Sequence, residues 1–341
     1  MSLDSNPQKL VLFKALRFFL VIMPVFVPFI QSNGLNLFQL FVLQSAFSIT
    51  FVALEIPTGY FSDKWGRKKT LLIGSICAAV GALIYALGSS FESFLLAEIV
   101  IGVGAAFFSG TDSALLFESL EETGKKKDFK KWSGRTGFAS AFSEAIAALV
   151  GGSLAVISLR FPFWAWFGVS LLSIPLVLSL SEPFRHHRSH PSWKDLWKML
   201  RFAVHENKAL KWLIVFSGVL GFVSLASVWL FQPYLQLVGL PLAFFGIAWF
   251  FLNIPVGIGS FFAEPLENKI GKKAFFWLLP FVLVACLLAF SGIAALSILF
   301  FGLVIQLVRG FKLPIVEFYM NEELSNEKRA TVLRATPSRL I

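Results

Sequence analysis

Three stretches of this chain run without any Asp, Glu, Lys or Arg for longer than a soluble core tolerates: Phe18 to Leu54, Trp212 to Ala263 and Ala274 to Val308. A helix crosses the hydrocarbon with roughly 20 apolar residues, so each stretch holds about two crossings. Of the 341 residues, 15% are charged, against about a quarter in an ordinary soluble domain. The two cysteines, Cys77 and Cys286, fall within apolar windows and imply no disulfide framework. A soluble enzyme, a disulfide scaffold and a nucleic-acid module are excluded. The fold class is all-α, a polytopic membrane protein.

A hydropathy pass places ten spans at about 10–31, 36–61, 69–89, 93–117, 134–158, 160–180, 210–235, 241–263, 273–291 and 293–314. Their connectors alternate between short Gly-, Ser- or Asn-bearing turns and charged segments. Every Lys and Arg except Arg160 falls on one set of sides, Lys312 among them. Basic residues are retained on the cytoplasmic side, so both termini are expected there. The net charge of +10 therefore reports topology, and no nucleic-acid partner is expected. The connector 181–209 divides a six-span bundle, 1–180, from four spans in 210–320, with a polar tail at 321–341. Within that connector Trp193, Leu196, Trp197, Leu200 and Val204 share one helical face, which describes an amphipathic helix lying on the inner surface.

One charged loop occurs twice. Gly59-Tyr-Phe-Ser-Asp63-Lys64-Trp-Gly66-Arg67-Lys68-Lys69 follows span two, and Asn268-Lys269-Ile-Gly271-Lys272-Lys273 follows span eight. An Ile-Pro-x-Gly step precedes each, at Ile56–Gly59 and Ile254–Gly257. Two similar halves joined by a cytoplasmic linker suggest internal repeats. Gly59 and Gly66 would permit a tight turn, Asp63 would accept from a neighbouring helix start, and Arg67 would fork onto Glu118 at the inner end of span four.

The first copy of the loop resembles the signature of the major facilitator superfamily, Gly-x-Leu-Ala-Asp-x-x-Gly-Arg-Lys/Arg-Lys/Arg. Gly59, Asp63, Gly66, Arg67 and Lys68 match, while Phe61 and Ser62 replace the Leu and Ala. The stretch Ser109–Leu120 resembles a poorly characterised bacterial subgroup. The resemblance implies a two-bundle secondary transporter of the inner membrane, in which Asp63, Arg67 and Glu118 latch one access state. It also implies a small organic solute and protons as partners, a monomer in the bilayer, and no cofactor. Twelve spans are implied and ten are found, with Asn321–Leu333 reading as the connector to an eleventh. The expectation is a chain short of its last two helices, and a truncated, inactive remnant is the alternative. A membrane-embedded enzyme or channel is disfavoured, since no catalytic motif is present. The Gly-Pro step that the superfamily's antiporters carry in span five is absent; Gly151-Gly152 stands there.

Ionisable groups inside a membrane are functional candidates by default. Glu144 near the middle of span five leads, followed by Asp112, Glu98 and Glu55. Arg17 is a further cavity candidate, although Lys14 and Arg17 could snorkel to the inner interface. In span seven Trp229, Gln232 and Tyr234 form a polar-aromatic cluster expected to line the cavity. His186, His187 and His190 lie in a basic stretch and read as a solvated patch, so no metal is expected.

Overall fold

A computed structural model describes residues 3–184, 207–292 and 298–323. Helices account for these residues, with no strand among them. They are α1 (Asn6–Arg17), α2 (Phe26–Ser32), α3 (Leu37–Trp65), α4 (Arg67–Leu87), α5 (Phe91–Phe108), α6 (Thr111–Glu122), α7 (Phe129–Ile157) and α8 (Phe161–Leu178). After the connector come α9 (Lys208–Leu237), α10 (Phe245–Ile270), α11 (Lys272–Gly292) and α12 (Ile298–Glu323). The chain divides into two compact units, Met1–His190 and Pro191–Ile341. The expected surface helix, the histidines and the tail beyond Glu323 lie outside the described residues.

Nine helices among the described residues are long and apolar enough to cross a membrane. The expected first span is not one helix. The chain leaves α1 at Phe18 and passes through a 3-10 turn at Met23–Val25 before α2. Pro24 and Pro28 lack the backbone N–H that a continuous helix would use. Span four is also interrupted, because Gly110 adopts φ +70° between α5 and α6. The last span runs the other way, continuing through Pro314 to Glu323. Arg309 and Lys312, expected near or beyond its inner end, therefore lie within α12.

Helix starts follow their local chemistry. Asn36 caps α3 in a reciprocal box with Gln39, Ser90 does the same for α5 with Ser93, and Asn207 caps α9. Each satisfies backbone donors that a helix start leaves open.

Glycines set the close contacts within each unit. A Cβ on Gly151 of α7 would stand 1.8 Å from the Val21 carbonyl, at the break in the first span. In the second unit Gly259 of α10 and Gly310 of α12 approach each other's helix backbone, where a Cβ would meet carbonyls at 2.4 and 2.2 Å. Small residues permit such approach where lipid supplies no hydrophobic drive. Also in the first unit, Phe26, Phe29, Tyr85, Phe94 and Phe163 form an aromatic cluster, with the Phe29 and Phe163 ring centroids 3.8 Å apart.

Candidate functional site

The repeated loop becomes a repeated backbone turn. Gly66 (φ 117°, ψ 147°) and Gly271 (φ 83°, ψ 151°) each end one helix and begin the next. Each donates its N–H to the carbonyl four residues back, Ser62 or Glu267. Each also accepts from the residue four ahead, Thr70 or Phe275. Glycine tolerates this positive φ and a residue with Cβ does not. The connector expected at 62–68 thus shrinks to Gly66, and Gly59 is no turn residue: it lies buried inside α3.

Around the first turn Arg67 gathers carboxylates. Its guanidinium pairs with Asp63 at 2.6 Å and Glu118 at 2.9 Å, and donates to the Ser62 hydroxyl at 2.9 Å. The expected trio is therefore in contact. Asp63 meets Arg67 one turn along the chain, where the expectation was a neighbouring helix start. That role at α4 falls to Glu182, which accepts the Arg67 and Lys68 N–H groups at 2.8 Å each. A carboxylate at a helix N-terminus is favoured by the open donors and the macrodipole. Sequence reasoning missed Glu182, whose only signal was an acid just past span six. Lys68 contributes its backbone N–H to this network.

The second copy differs in chemistry. Lys272 occupies the place of Arg67, with its ammonium 3.5 Å from the Tyr319 ring on α12. The Tyr319 hydroxyl donates to Glu267. Asn268, in the position of Asp63, is exposed.

Deeper in the first unit, three carboxylates are buried and each has different company. Asp112, in the first turn of α6, pairs with Lys14 at 2.6 Å and Arg17 at 3.2 Å from the last turn of α1. Those cations turn inward where snorkelling was expected, and Arg17 lies over the Phe108 ring. Both helix ends suit the charges they carry, acid at the N-terminus and base at the C-terminus. Glu98 on α5 accepts from Tyr85 at 2.6 Å and Gln44 at 2.9 Å, both neutral. Glu55 on α3 accepts from Ser109, the residue beside the α5–α6 break, at 2.7 Å.

Glu144 is less deeply placed. It is half-buried on α7, next to Ser143, whose hydroxyl donates to the Ala15 carbonyl at 2.6 Å. On α9 Trp229 and Gln232 are buried and Tyr234 is half-buried. A cavity of about 20 Å³ in the second unit is lined by Ser227, Phe231, Trp249 and Gln306, and the lining does not include Trp229 or Gln232. Among the described residues no cluster of His, Cys, Asp and Glu is arranged to hold a metal.

Comparison with known proteins agrees with this architecture. The profile described as Major Facilitator Superfamily matches residues 12–335. Multidrug resistance protein 2 of Bacillus subtilis (strain 168) is 27% identical over 216 residues, 61% of this chain and 52% of that protein. Fosmidomycin resistance protein of Escherichia coli (strain K12) is 24% identical over 269 residues, 75% of this chain and 64% of that protein. The chain spans about half to two-thirds of the length of these relatives. The crystal structure of the nucleoside transporter NupG superposes with a TM-score of 0.77 at 16% identity, covering 98% of this chain and 87% of that one. At that identity the likeness is one of fold.

Proposed function

The chain belongs to the Major Facilitator Superfamily, and on that premise we propose that it is a secondary transporter of a small organic solute. It works by alternating access in a bacterial inner membrane, with both termini cytoplasmic, and couples solute movement to protons. The observation that carries this reading is the placing of buried ionisable groups at broken spans. Asp112 and its two cations sit where α1 ends and α6 begins, and Glu55 binds the residue beside the second break. Irregular backbone and charge at membrane depth are tolerated where they serve a site.

Roles divide by partner. Asp63, Arg67 and Glu118 form the gate, a charged contact that holds one access state and must part for the other. Glu98, whose partners are neutral, carries the coupling proton. Asp112 changes partners between Lys14 and Arg17 as the access state alternates. Glu144 is the weaker candidate because it is only half-buried.

The test is proton movement in proteoliposomes driven by added solute, beginning with fosmidomycin and a nucleoside, which the names of two similar proteins suggest. Glu98→Gln is expected to abolish solute-driven proton movement while leaving downhill solute exchange. Asp112→Asn is expected to lower both by about tenfold, roughly 1.4 kcal/mol of barrier. Unchanged coupled flux in both variants would reject the assignment.

A further inference from the structure

In the second unit a lysine and a hydroxyl are buried without the partners that burial demands. Lys312 on α12 is 1% exposed. Its ammonium donates to the Ser217 carbonyl on α9 at 3.5 Å, the outer limit of a hydrogen bond. None of the ion pairs among the described residues includes it. The Ser217 hydroxyl, on a residue 0% exposed, has no hydrogen-bond partner.

The apolar windows of the helices around it hold no counter-charge. Arg309, one turn earlier on α12, is near enough to add its positive charge. No Asp or Glu occurs between Trp212 and Ala263, which covers α9 beyond Lys211 and most of α10, or between Ala274 and Val308. A buried cation without an anion is strongly disfavoured in a low-dielectric interior.

We propose that the Lys312 ammonium and the Ser217 hydroxyl seat the anionic group of the transported solute, a carboxylate, phosphate or phosphonate. Two donors from two helices match an oxyanion, and the ammonium repels a cation that the hydroxyl alone could accept. This inference rests on the transporter reading and names the charge class of its solute. Burial of both donors means that the seat is closed in the conformation described, as one stage of an alternating cycle requires.

The experiment measures ligand-induced thermal shifts of the purified full chain at constant ionic strength. The probes are benzoate, phenylphosphonate, benzamide and benzylammonium, matched by their ring. Both anions are expected to stabilise the wild type, and the neutral and cationic probes are not. Lys312→Gln should weaken anion binding at least tenfold, Ser217→Ala by a few-fold, and Lys312→Arg should retain it. Unliganded Lys312→Gln should unfold at or above the wild-type temperature, since a buried charge has been removed; that control separates folding from binding. Absence of anion binding to the wild type, equal binding of benzamide, or anion affinity unchanged in Lys312→Gln overturns the proposal. Proton-coupled flux of a neutral or cationic solute would overturn it and leave the transporter reading standing. Failure of all solute flux with anion binding intact would overturn the transporter reading instead.

Discussion

Arg67 holds two carboxylates with one planar fork, and the geometry explains why lysine would not serve. Its guanidinium reaches Asp63 and Glu118 together, whereas an ammonium is a point charge without that fork. Arg67→Lys is expected to keep one contact and lose the other, weakening the proposed gate by roughly 1.5–3 kcal/mol. The check is the rate of solute exchange at matched membrane protein level, which should change strongly while thermal stability changes little. Glu182→Gln belongs to the same turn but has a different role. It leaves an amide oxygen to cap α4, so the expected loss is smaller, about 1 kcal/mol, and appears in the unfolding temperature. Among single residues the sequence was legible where a motif named them. Arg67 and Glu118 could be paired because a cation and an acid ended adjacent spans. The capping role of Glu182 depends on the path of the chain after α8, which no local pattern records.

At the level of elements, hydropathy located the spans but not their interruptions. Composition averages over a window, and two prolines near Val21 or one glycine at 110 barely alter that average. They nevertheless redirect the backbone. The Gly151 contact with Val21 yields a direct prediction. Gly151→Ala places a methyl 1.8 Å from a carbonyl oxygen, so α7 must move away from the break. A destabilisation of about 1–3 kcal/mol is expected, measured by thermal unfolding. Gly137→Ala on the same helix is the control, because nothing lies within 4 Å of its Cβ position. It should be neutral or slightly stabilising, by up to about 1 kcal/mol. The depth of Lys312 was hidden for a related reason. Arg309 and Pro314 read as the end of a span, yet α12 continues through Pro314 to Glu323.

For the whole molecule, the distribution of basic residues predicts sidedness. Reporter fusions placed at Gly34 and Ser90 should report the external face, and one at Lys125 the cytoplasm. The opposite pattern would reverse the proposed direction of the gate. The two units share a turn at Gly66 and Gly271, but only the first surrounds it with an Arg67–carboxylate network. In the second, Lys272 rests on the Tyr319 ring. The repeated backbone was readable from spacing, while the changed chemistry depended on which residue of α12 came within reach.

Arg160 is the one basic residue assigned to the outer side. It donates to the Ala86 and Gly88 carbonyls at 3.0 and 2.8 Å and to Asn33 at 2.9 Å. A guanidinium drawn away from water needs acceptors, and the ones Arg160 finds here exist only once α2 and α4 are in place. The chain therefore carries an order of assembly. The earlier helices form the receptor for the loop that starts α8, so α8 reaches its final seat only after α2 and α4 have taken theirs.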